Sequence, residues 1–170
     1  MPSSLGKKGM NKTRVVQVDY ADQAQVASLI ELLDMYSQDP MGAGEPLPEN
    51  VKQRLAHDLP GLAGALSLIA WVDEVPVGFL NAFAGYSTFK AMPLLNIHDI
   101  AVRPAWRSQG VGGQLVAALV QLAASRGCCK ITLEVLSGNI KAKSLYQRMG
   151  FEDYALDPRV GVATFMQKWI

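Results

Sequence analysis

A glycine-rich turn, RSQGVGG at residues 107–113, constrains the fold of this chain more than any other segment. It lies between NIHDIAV, an apolar run typical of a buried strand, and QLVAALVQLAA, which has the composition of a helix. A helix N-terminus carries unpaired N–H groups and a partial positive charge, so it favours anions. Glycine lets a phosphate approach those N–H groups because it has no Cβ. The segment predicts either a pyrophosphate-binding turn, with Arg107 at its rim, or a turn that allows close helix packing.

Two other phosphate-binding motifs do not fit this turn. A Rossmann fingerprint passes directly from strand to helix and has an acid about 20 residues further on. Here residues 103–109 intervene, and Lys130 stands near the place of that acid. The Walker A pattern needs Gly-Lys-Ser or Gly-Lys-Thr after its glycines, and the chain has neither there. The turn therefore belongs to a different class of phosphate site, if it binds phosphate.

The rest of the chain alternates between strand-like and helix-like runs. Helices are predicted over residues 21–37, with Asp19 as the cap, and over residues 51–59, 110–126 and 139–149. Strands are predicted over residues 13–19, 66–72, 75–86, 94–102, 130–135, 152–154 and 164–170. The second and third strands form a hairpin, and residues 94–135 have the strand, helix, strand order of a parallel crossover. This order predicts an α/β fold with a mixed, mostly antiparallel twisted sheet, one parallel crossover and about four flanking helices.

Length and composition exclude several classes of protein. A chain of 170 residues fits one domain, expected over residues 13–170, after a disordered polar tail over residues 1–12. The net charge of +1 gives no field that would recruit nucleic acid, and no apolar run reaches the roughly 20 residues that span a bilayer. Cys128 and Cys129 are adjacent and have no partners at metal-ligand spacing, so neither a metal site nor a disulfide is expected. We expect a cytoplasmic protein.

Two motifs carry a resemblance to a known family. Residues 107–112, Arg-Ser-Gln-Gly-Val-Gly, resemble the Arg/Gln-x-x-Gly-x-Gly/Ala motif of the GCN5-related N-acetyltransferase (GNAT) superfamily, and the preceding Ile-Ala-Val-Arg-Pro is similar to its strand ending in Val-x-Pro. Residues 139–151 are similar to the family's Asn-x-x-Ala-x-x-Leu-Tyr-x-x-x-Gly-Phe segment. Residues 94–151 thus carry two motifs at the family's spacing. The resemblance implies a GNAT-like fold, an N-acetyltransferase activity and acetyl-CoA as the cofactor.

The resemblance also assigns residues to coenzyme A. It implies that the pantetheine arm and the acetyl carbonyl meet the backbone of Ile100 and Val102. Asn139 would reach the pantetheine amides, and Ala142 and Lys143 would lie beside the nucleotide half. The backbone N–H groups of the glycine-rich turn would bind the pyrophosphate; they belong to Arg107, Ser108, Gln109, Gly110, Val111, Gly112 and Gly113.

Acetyl transfer to an amine needs an acid and a base. A lysine-like amine with a pKa near 10.4 is mostly protonated at neutral pH, and the departing thiolate gains from a proton donor. The family motif puts Tyr146 beside the sulfur, where a phenol with a pKa of about 10 stays protonated at pH 7. His98 is the candidate base, because strand alternation places it on the same face as Ile100 and Val102, barring a bulge.

A second resemblance concerns His98, for which a catalytic and a structural role are both open. Arylalkylamine N-acetyltransferases of the same superfamily look similar here, with a histidine at the corresponding spacing and a second histidine where this chain has Asn96. A structural histidine remains the alternative to a catalytic base. Asp99 falls on the opposite face of the strand and is expected to orient a loop or to cap a neighbouring element.

The sequence gives less information about the acceptor site than about the cofactor site. The loop after the first helix commonly lines the acceptor site in this superfamily; its candidates are Tyr36, Asp39, Met41 and Glu45. An acid in this loop would attract a cationic amine, so a small-molecule primary amine is preferred, whereas a solvated loop is the plain alternative. A peptide or protein acetyltransferase and a non-catalytic acyl-CoA sensor are the other functions left open. The apolar segment ATFMQKWI, residues 163–170, suggests a homodimer paired across subunits.

Overall fold

The computed structural model describes residues 12–155, 157 and 159–170. The expected tail, residues 1–12, lies outside the described residues apart from Lys12. The described part forms five strands and four α-helices. In chain order these are β1 (Arg14–Gln17), α1 (Gln23–Ser37), α2 (Glu49–Asp58), β2 (Ala65–Val72), β3 (Val75–Ser87), β4 (Met92–Val102), α3 (Val111–Ser125), β5 (Ile131–Leu133) and α4 (Ile140–Arg148).

The five strands form one mixed sheet, which confirms the predicted fold class. The strands lie in the order β1-β2-β3-β4-β5. The first three pairs are antiparallel, and β4 and β5 are parallel, joined by the crossover through α3. The β2–β3 hairpin turns at Asp73 and Glu74, whose φ angles of 47° and 62° are those that a two-residue hairpin turn requires.

Each face of the sheet has its own apolar core. The face covered by α3 and α4, here called the α3 face, buries Leu80, Leu115 and Leu119. The face covered by α1 and α2, here called the α1 face, buries Leu29 and Phe79. The alternation of side chains along β3 supplies both cores, because successive residues point to opposite faces.

A β-bulge in β4 overturns the predicted orientation of His98. Asn81 pairs with Asp99 while the next residue of β3, Ala82, pairs with Ile97, so His98 is the extra residue. The ring of His98 meets Phe83 edge-on at 5.5 Å between centroids, and Phe83 packs with the α1-face core. Ile100 and Val102 pack against the α3-face core instead. The prediction that His98 shares their face is therefore wrong, because the bulge breaks the alternation.

Two predictions from the ends of elements are also wrong. The N-cap of α1 is Asp22, whose carboxylate accepts from the N–H groups of Ala24 and Gln25, whereas Asp19 accepts from Ala21 in the turn before it. The described residues of 152–170 contain no strand, and one hydrogen bond joins Ala163 N–H to the carbonyl of Tyr154. In the part of the chain that the structure describes, no helix combines the length and apolarity needed to cross a membrane.

Candidate functional site

The sheet opens where β4 and β5 stop pairing. Their parallel register covers three pairs and ends at Ile97 and Leu133, although β4 continues to Val102. β5 is shorter than predicted because the chain leaves the sheet after Leu133. The last residues of β4, including Ile100 and Val102, pair with β3 on one side and have no β5 partner on the other. Backbone groups on that edge are available to a ligand, because a strand edge exposes unpaired N–H and C=O groups. The carbonyl of Val102 is the exception, since it accepts from Nε of Arg107.

A cavity of about 110 Å³ lies at this opening. It draws its walls from both faces of the sheet, since α1 with its following loop supplies one side and α4 supplies the other. Seven residues expected in the site line it: Tyr36, Met41, His98, Ile100, Asn139, Ala142 and Tyr146. Four residues at and after the end of β5 complete the wall together with Ile97; they are Leu133, Glu134, Val135 and Leu136. The cavity thus brings residues of the predicted cofactor site and of the predicted acceptor site together.

Tyr146 is the most deeply buried titratable group of the cavity wall. It is 7% exposed, and its ring packs on Phe151 at 5.8 Å between centroids. Burial raises its pKa to about 12, and the nearby Tyr36 adds a smaller effect in the same direction. Gly150 turns the chain with a φ of 88°, and the N–H of Phe151 then bonds to the carbonyl of Tyr146. Tyr146 is therefore a protonated phenol, and so a hydrogen-bond donor, throughout the neutral range.

The start of α3 has the geometry of an anion-binding turn. Ser108 and the N-cap Gly110 are left-handed, with φ angles of 61° and 85°. The first bond of the helix runs from the N–H of Gln114 to the carbonyl of Gly110, so the N–H groups of residues 111–113 precede the helical ladder. No side chain caps this end. Three N–H groups and the positive end of the helix dipole are thus left for an external acceptor.

The glycines of the turn have different roles. A Cβ at Gly112 would lie 3.2 Å from Cδ2 of Leu145 in α4, whereas one at Gly113 would lie 3.8 Å from Cδ1 of the same residue. A Cβ at Gly110 would meet no atom within 4 Å, but its left-handed backbone favours glycine. Gly112 therefore allows the close packing of α3 against α4, whereas Gly110 is favoured because the backbone there is left-handed.

The side chain of Arg107 joins this turn to the loop after α1. Its Nε donates to the carbonyl of Val102 at 2.9 Å, and its Nη2 donates to Oδ2 of Asp39 at 2.7 Å. The N–H of Met41 donates to the other oxygen of Asp39. This backbone hydrogen bond and the Arg107 guanidinium hold the pKa of Asp39 below its usual range. Asp39 therefore already has a cationic partner.

Four other expected residues lie outside the cavity wall. Ser108 and Gln109 are exposed, and Gln109 donates to the carbonyl of Ala105. Lys143 forms an ion pair with Asp153 at 3.5 Å. Glu45 is exposed, and its carbonyl accepts from the hydroxyl of Ser37, which fixes the backbone of the loop.

Two asparagines at the site are engaged with the protein itself. Asn139 is the N-cap of α4, and its Oδ1 accepts from the N–H of Ala142 at 3.2 Å while the residue lines the cavity. Asn96 donates to Oγ1 of Thr132 on β5 at 3.0 Å. Asn96 is therefore tied to the paired part of the sheet.

Sequence reasoning missed a polar chain on the α1 face. It consists of Tyr20, Ser67 and Asn81, which lead to Asp99 by successive hydrogen bonds. The signal in the sequence is a polar residue inside each of two apolar strands, Ser67 in LSLIAWV and Asn81 in GFLNAF. Within the described residues, no cluster of His, Cys, Asp and Glu that could hold a metal ion is found.

Comparison with known proteins agrees with this architecture. The family model described as "Acetyltransferase (GNAT) family" matches residues 29–151. Thialysine N-epsilon-acetyltransferase of Bos taurus is 34% identical over 77 residues, which are 45% of this chain and 45% of that protein. Aminoglycoside N(6')-acetyltransferase type 1 of Salmonella typhimurium is 29% identical over 90 residues, 51% of this chain and 62% of that protein. The chain thus matches less than two thirds of the length of either relative.

A solved structure shows the same fold. The aminoglycoside N-acetyltransferase AAC(6')-Iy in complex with CoA superposes with a TM-score of 0.72 and 20% identity. The match covers 92% of this chain and 95% of that one. Since the family model spans most of the sequence, including the opening between β4 and β5 and the start of α3, the chain belongs to the GNAT acetyltransferase family, whose members are acyltransferases that use acetyl-CoA.

Proposed function

We propose that residues 13–170 act as one acetyl-CoA-dependent N-acetyltransferase unit that acetylates a primary amine of a small molecule by direct attack. The observation that carries the proposal is the cavity between β4 and β5, which both Tyr146 from α4 and Tyr36 from α1 line. An opening walled from both faces lets a thioester and an amine reach each other from opposite sides of the sheet.

The residues present fit the cofactor. Unpaired N–H groups at the start of α3 suit a pyrophosphate, and the edge of β4 at Ile100 and Val102 suits the amides of a pantetheine arm. Asn139 and Ala142 line the cavity beside that edge, and Lys143 lies on the same helix. When bound, acetyl-CoA supplies an activated acetyl group.

Two side chains are proposed to move protons. Tyr146 donates to the departing thiolate, because its raised pKa keeps the proton on the phenol at neutral pH. His98 accepts the proton of the amine; its exposed ring lines the cavity and contacts Phe83 on the α1 face, the side from which the acceptor enters. The bulge in β4 is what brings His98 to that side.

A small acceptor suits the dimensions of the cavity. About 110 Å³ holds a few heavy atoms around the reacting nitrogen. Tyr36 and Met41 border it on the α1 side, and the hydroxyl of Tyr36 donates to the carbonyl of Met41. The relatives named for thialysine and aminoglycosides are enzymes for small amines by name, which supports the same class of acceptor here.

The test is an acetyl-transfer assay with a panel of small amines, amino acids and lysine peptides, following thiol release and confirming the products by mass. Turnover on a small amine is expected. Turnover on peptides alone would replace the proposal by a peptide acetyltransferase. Binding of acetyl-CoA without turnover of any panel member would favour a sensor.

We also propose that two copies of the chain pair through the C-terminal segment. Phe165 and Trp169 are 75% and 87% exposed, and exposed apolar patches mark interaction surfaces. Light scattering of the full chain should give the mass of a dimer, and the double substitution Phe165→Ser and Trp169→Ser should give a monomer. A monomeric full chain at micromolar concentration would refute the pairing.

A further inference from the structure

The opening between β4 and β5 is closed at one end by two apolar residues. Ile97 and Leu133 form the last of three parallel pairs, and both line the cavity. The pair before it is reinforced by the side chain of Asn96, whose Nδ2 donates to Oγ1 of Thr132 at 3.0 Å. The two strands are therefore held together up to Ile97 and Leu133 and separate directly after them. These two residues are called the closing pair below.

The closing pair lies on the α3 face, the proposed cofactor side. Ile97 is 3% exposed and belongs to the α3-face core, and Leu133 packs against that core. Four further residues of the cavity wall belong to this core or pack against it; they are Ile100, Val135, Ala142 and Tyr146. The part of the cavity on the α3 face is thus formed mainly by apolar side chains around one phenol.

The closing pair also lies at the end of the path proposed for the pantetheine arm. The turn at residues 107–113 follows Val102, the last residue of β4, whereas the unpaired edge of β4 begins after Ile97. An arm that starts from a pyrophosphate at the turn and lies along this edge therefore runs toward the closing pair. The joined strands stop it there, on the side of the sheet that holds Tyr146, the proposed proton donor to the sulfur. An acyl group on that sulfur would face Ile97 and Leu133.

The cavity has little room for an acyl chain. Its volume of about 110 Å³ is that of roughly three or four water molecules, at about 30 Å³ each. The carbonyl and methyl groups of an acetyl thioester, together with the attacking nitrogen, need most of this space. Each further methylene has to displace a packed apolar side chain, and protein interiors contain few voids that could take up the displacement.

We propose that the closing pair excludes acyl groups longer than acetyl, and that Leu133 sets this limit on chain length. Ile97 lies inside the core, whereas Leu133 is partly buried at the last position of β5. A change of side-chain size at Leu133 therefore alters the cavity without removing a core residue. This inference rests on the proposed function and narrows the acyl donor to a thioester with a two-carbon acyl group.

The test compares acetyl-CoA, propionyl-CoA and butyryl-CoA in two measurements. Calorimetry without an amine measures their dissociation constants, and the thiol-release assay with an accepted amine measures kcat/KM. The wild type should bind butyryl-CoA about tenfold or more weakly than acetyl-CoA, and kcat/KM should fall about tenfold with the first added methylene, because one methylene changes recognition in an apolar pocket by at least this factor. Equal dissociation constants for acetyl-CoA and butyryl-CoA would overturn the inference.

Two leucine variants assign the limit to the closing pair. Leu133→Ala should bring butyryl-CoA to within about threefold of acetyl-CoA in both measurements, because truncation of a buried leucine leaves space for the longer chain. Leu122→Ala is the matched control, since Leu122 is also a partly buried leucine that packs against the α3-face core, but it lies outside the cavity wall. It should keep the wild-type preference for acetyl-CoA.

A smaller substitution keeps the test decisive if Leu133→Ala does not fold. Leu133→Val removes less of the side chain and should narrow the difference between acetyl-CoA and propionyl-CoA. An unchanged acyl preference in a folded Leu133 variant would remove Leu133 from the account.

The outcomes separate this inference from the proposed function. Weaker binding of butyryl-CoA without turnover of any amine in the panel would support the closing pair and count against the transferase. Turnover of all three thioesters with equal kcat/KM would support the transferase and refute the closing pair. No binding of any of the three would refute both.

Discussion

The two faces of the sheet build their halves of the site in different ways. On the α3 face, the proposed cofactor side depends on backbone N–H groups, glycine packing and one buried phenol, all from residues 100–151. On the α1 face, the proposed acceptor side depends on side-chain hydrogen bonds between residues far apart in sequence, such as Tyr20 with Ser67 and Asn81 with Asp99. The cofactor side is formed by residues close in sequence and is constrained by the backbone. The acceptor side is formed by residues far apart in sequence, so its side chains can be substituted one at a time.

The difference teaches where specificity can reside. The pyrophosphate and the pantetheine arm are the same whatever the acceptor is. Backbone groups can bind them only if the chain keeps its geometry at these positions. An acceptor is recognised by side chains that are anchored on other strands. We therefore expect substitutions on the α3 face, and of the proposed base His98, to change catalysis or stability, and the other substitutions on the α1 face to change the choice of amine.

The largest expected effect is on the α3 face, at Tyr146. Tyr146→Phe should lower kcat by about 100-fold or more, because a general acid contributes 10²–10⁴ to a rate. CoA affinity should stay unchanged, since the phenyl ring remains packed on Phe151. With a pKa of about 12, the phenol keeps its proton over the assay range, so it should contribute no loss of activity on raising the pH from 8 to 10. Steady-state kinetics against pH and calorimetry with CoA measure both effects.

The control for Tyr146 is Tyr154→Phe, the same chemical change at a half-exposed ring that packs over Lys130. Its kcat should match that of the wild type. A Tyr146→Phe enzyme with wild-type kcat would end the assignment of the general acid.

The next effect is on the α1 face, at His98. His98→Gln should lower kcat/KM by about tenfold or more and flatten the acidic limb of its pH profile, because glutamine cannot take a proton from the amine. His57→Gln serves as the matched control, since His57 is an exposed side chain on α2. An unchanged acidic limb in His98→Gln would return His98 to a structural role against Phe83.

The same comparison explains what the sequence could predict. The turn at 107–113 and the segment at 139–151 are contiguous, so their residues could be placed before the structure was known. The orientation of His98 could not, because a bulge depends on how β3 and β4 align, and one extra residue reverses the alternation. The polar chain on the α1 face was missed for a similar reason, because Tyr20, Ser67 and Asn81 come together only after three segments pack.

The predicted C-terminal strands failed for another physical reason. Residues 163–170 are rich in apolar and aromatic residues, a composition that suits a strand, but a strand needs a partner edge, and the described residues of this segment form no strand pairing. Composition alone predicts a tendency to form a strand, which the segment would realise in the proposed pairing with a second copy.

A smaller effect concerns the packing of the cofactor side. Gly112→Ala and Gly113→Ala make the same change one residue apart in α3, and alanine favours a helix over glycine at both. The new Cβ lies 3.2 Å from Leu145 at Gly112 and 3.8 Å at Gly113. Gly112→Ala should therefore be less stable than Gly113→Ala by about 1 kcal/mol, the scale of mild overpacking. Urea unfolding measures the difference in the free energy of unfolding. Equal values for the two variants would show that Leu145 of α4 can move away from the new Cβ without loss of stability.

The smallest expected effect lies at Asp39 and Arg107, the ion pair where the two sides touch. The pKa of Asp39 is lowered in the folded state, so its contribution to stability is present above the unfolded value of about 3.9 and is lost as the pH falls through the folded value. Asp39→Asn should be less stable than the wild type by up to about 1 kcal/mol at neutral pH, the range for exposed pairs, and the gap should close on acidification.

A double-mutant cycle with Arg107→Gln, followed by urea unfolding at several pH values, isolates the pair. The same variants bear on function, because the ion pair connects the loop of Tyr36 and Met41 to the turn before α3. If the two sides are energetically separate, Asp39→Asn should alter KM for the amine and leave KM for acetyl-CoA unchanged. A parallel rise in both KM values would mean that the acceptor loop and the turn before α3 are energetically coupled. The two faces would then differ in how they are built, but they would not act independently in binding the amine and acetyl-CoA.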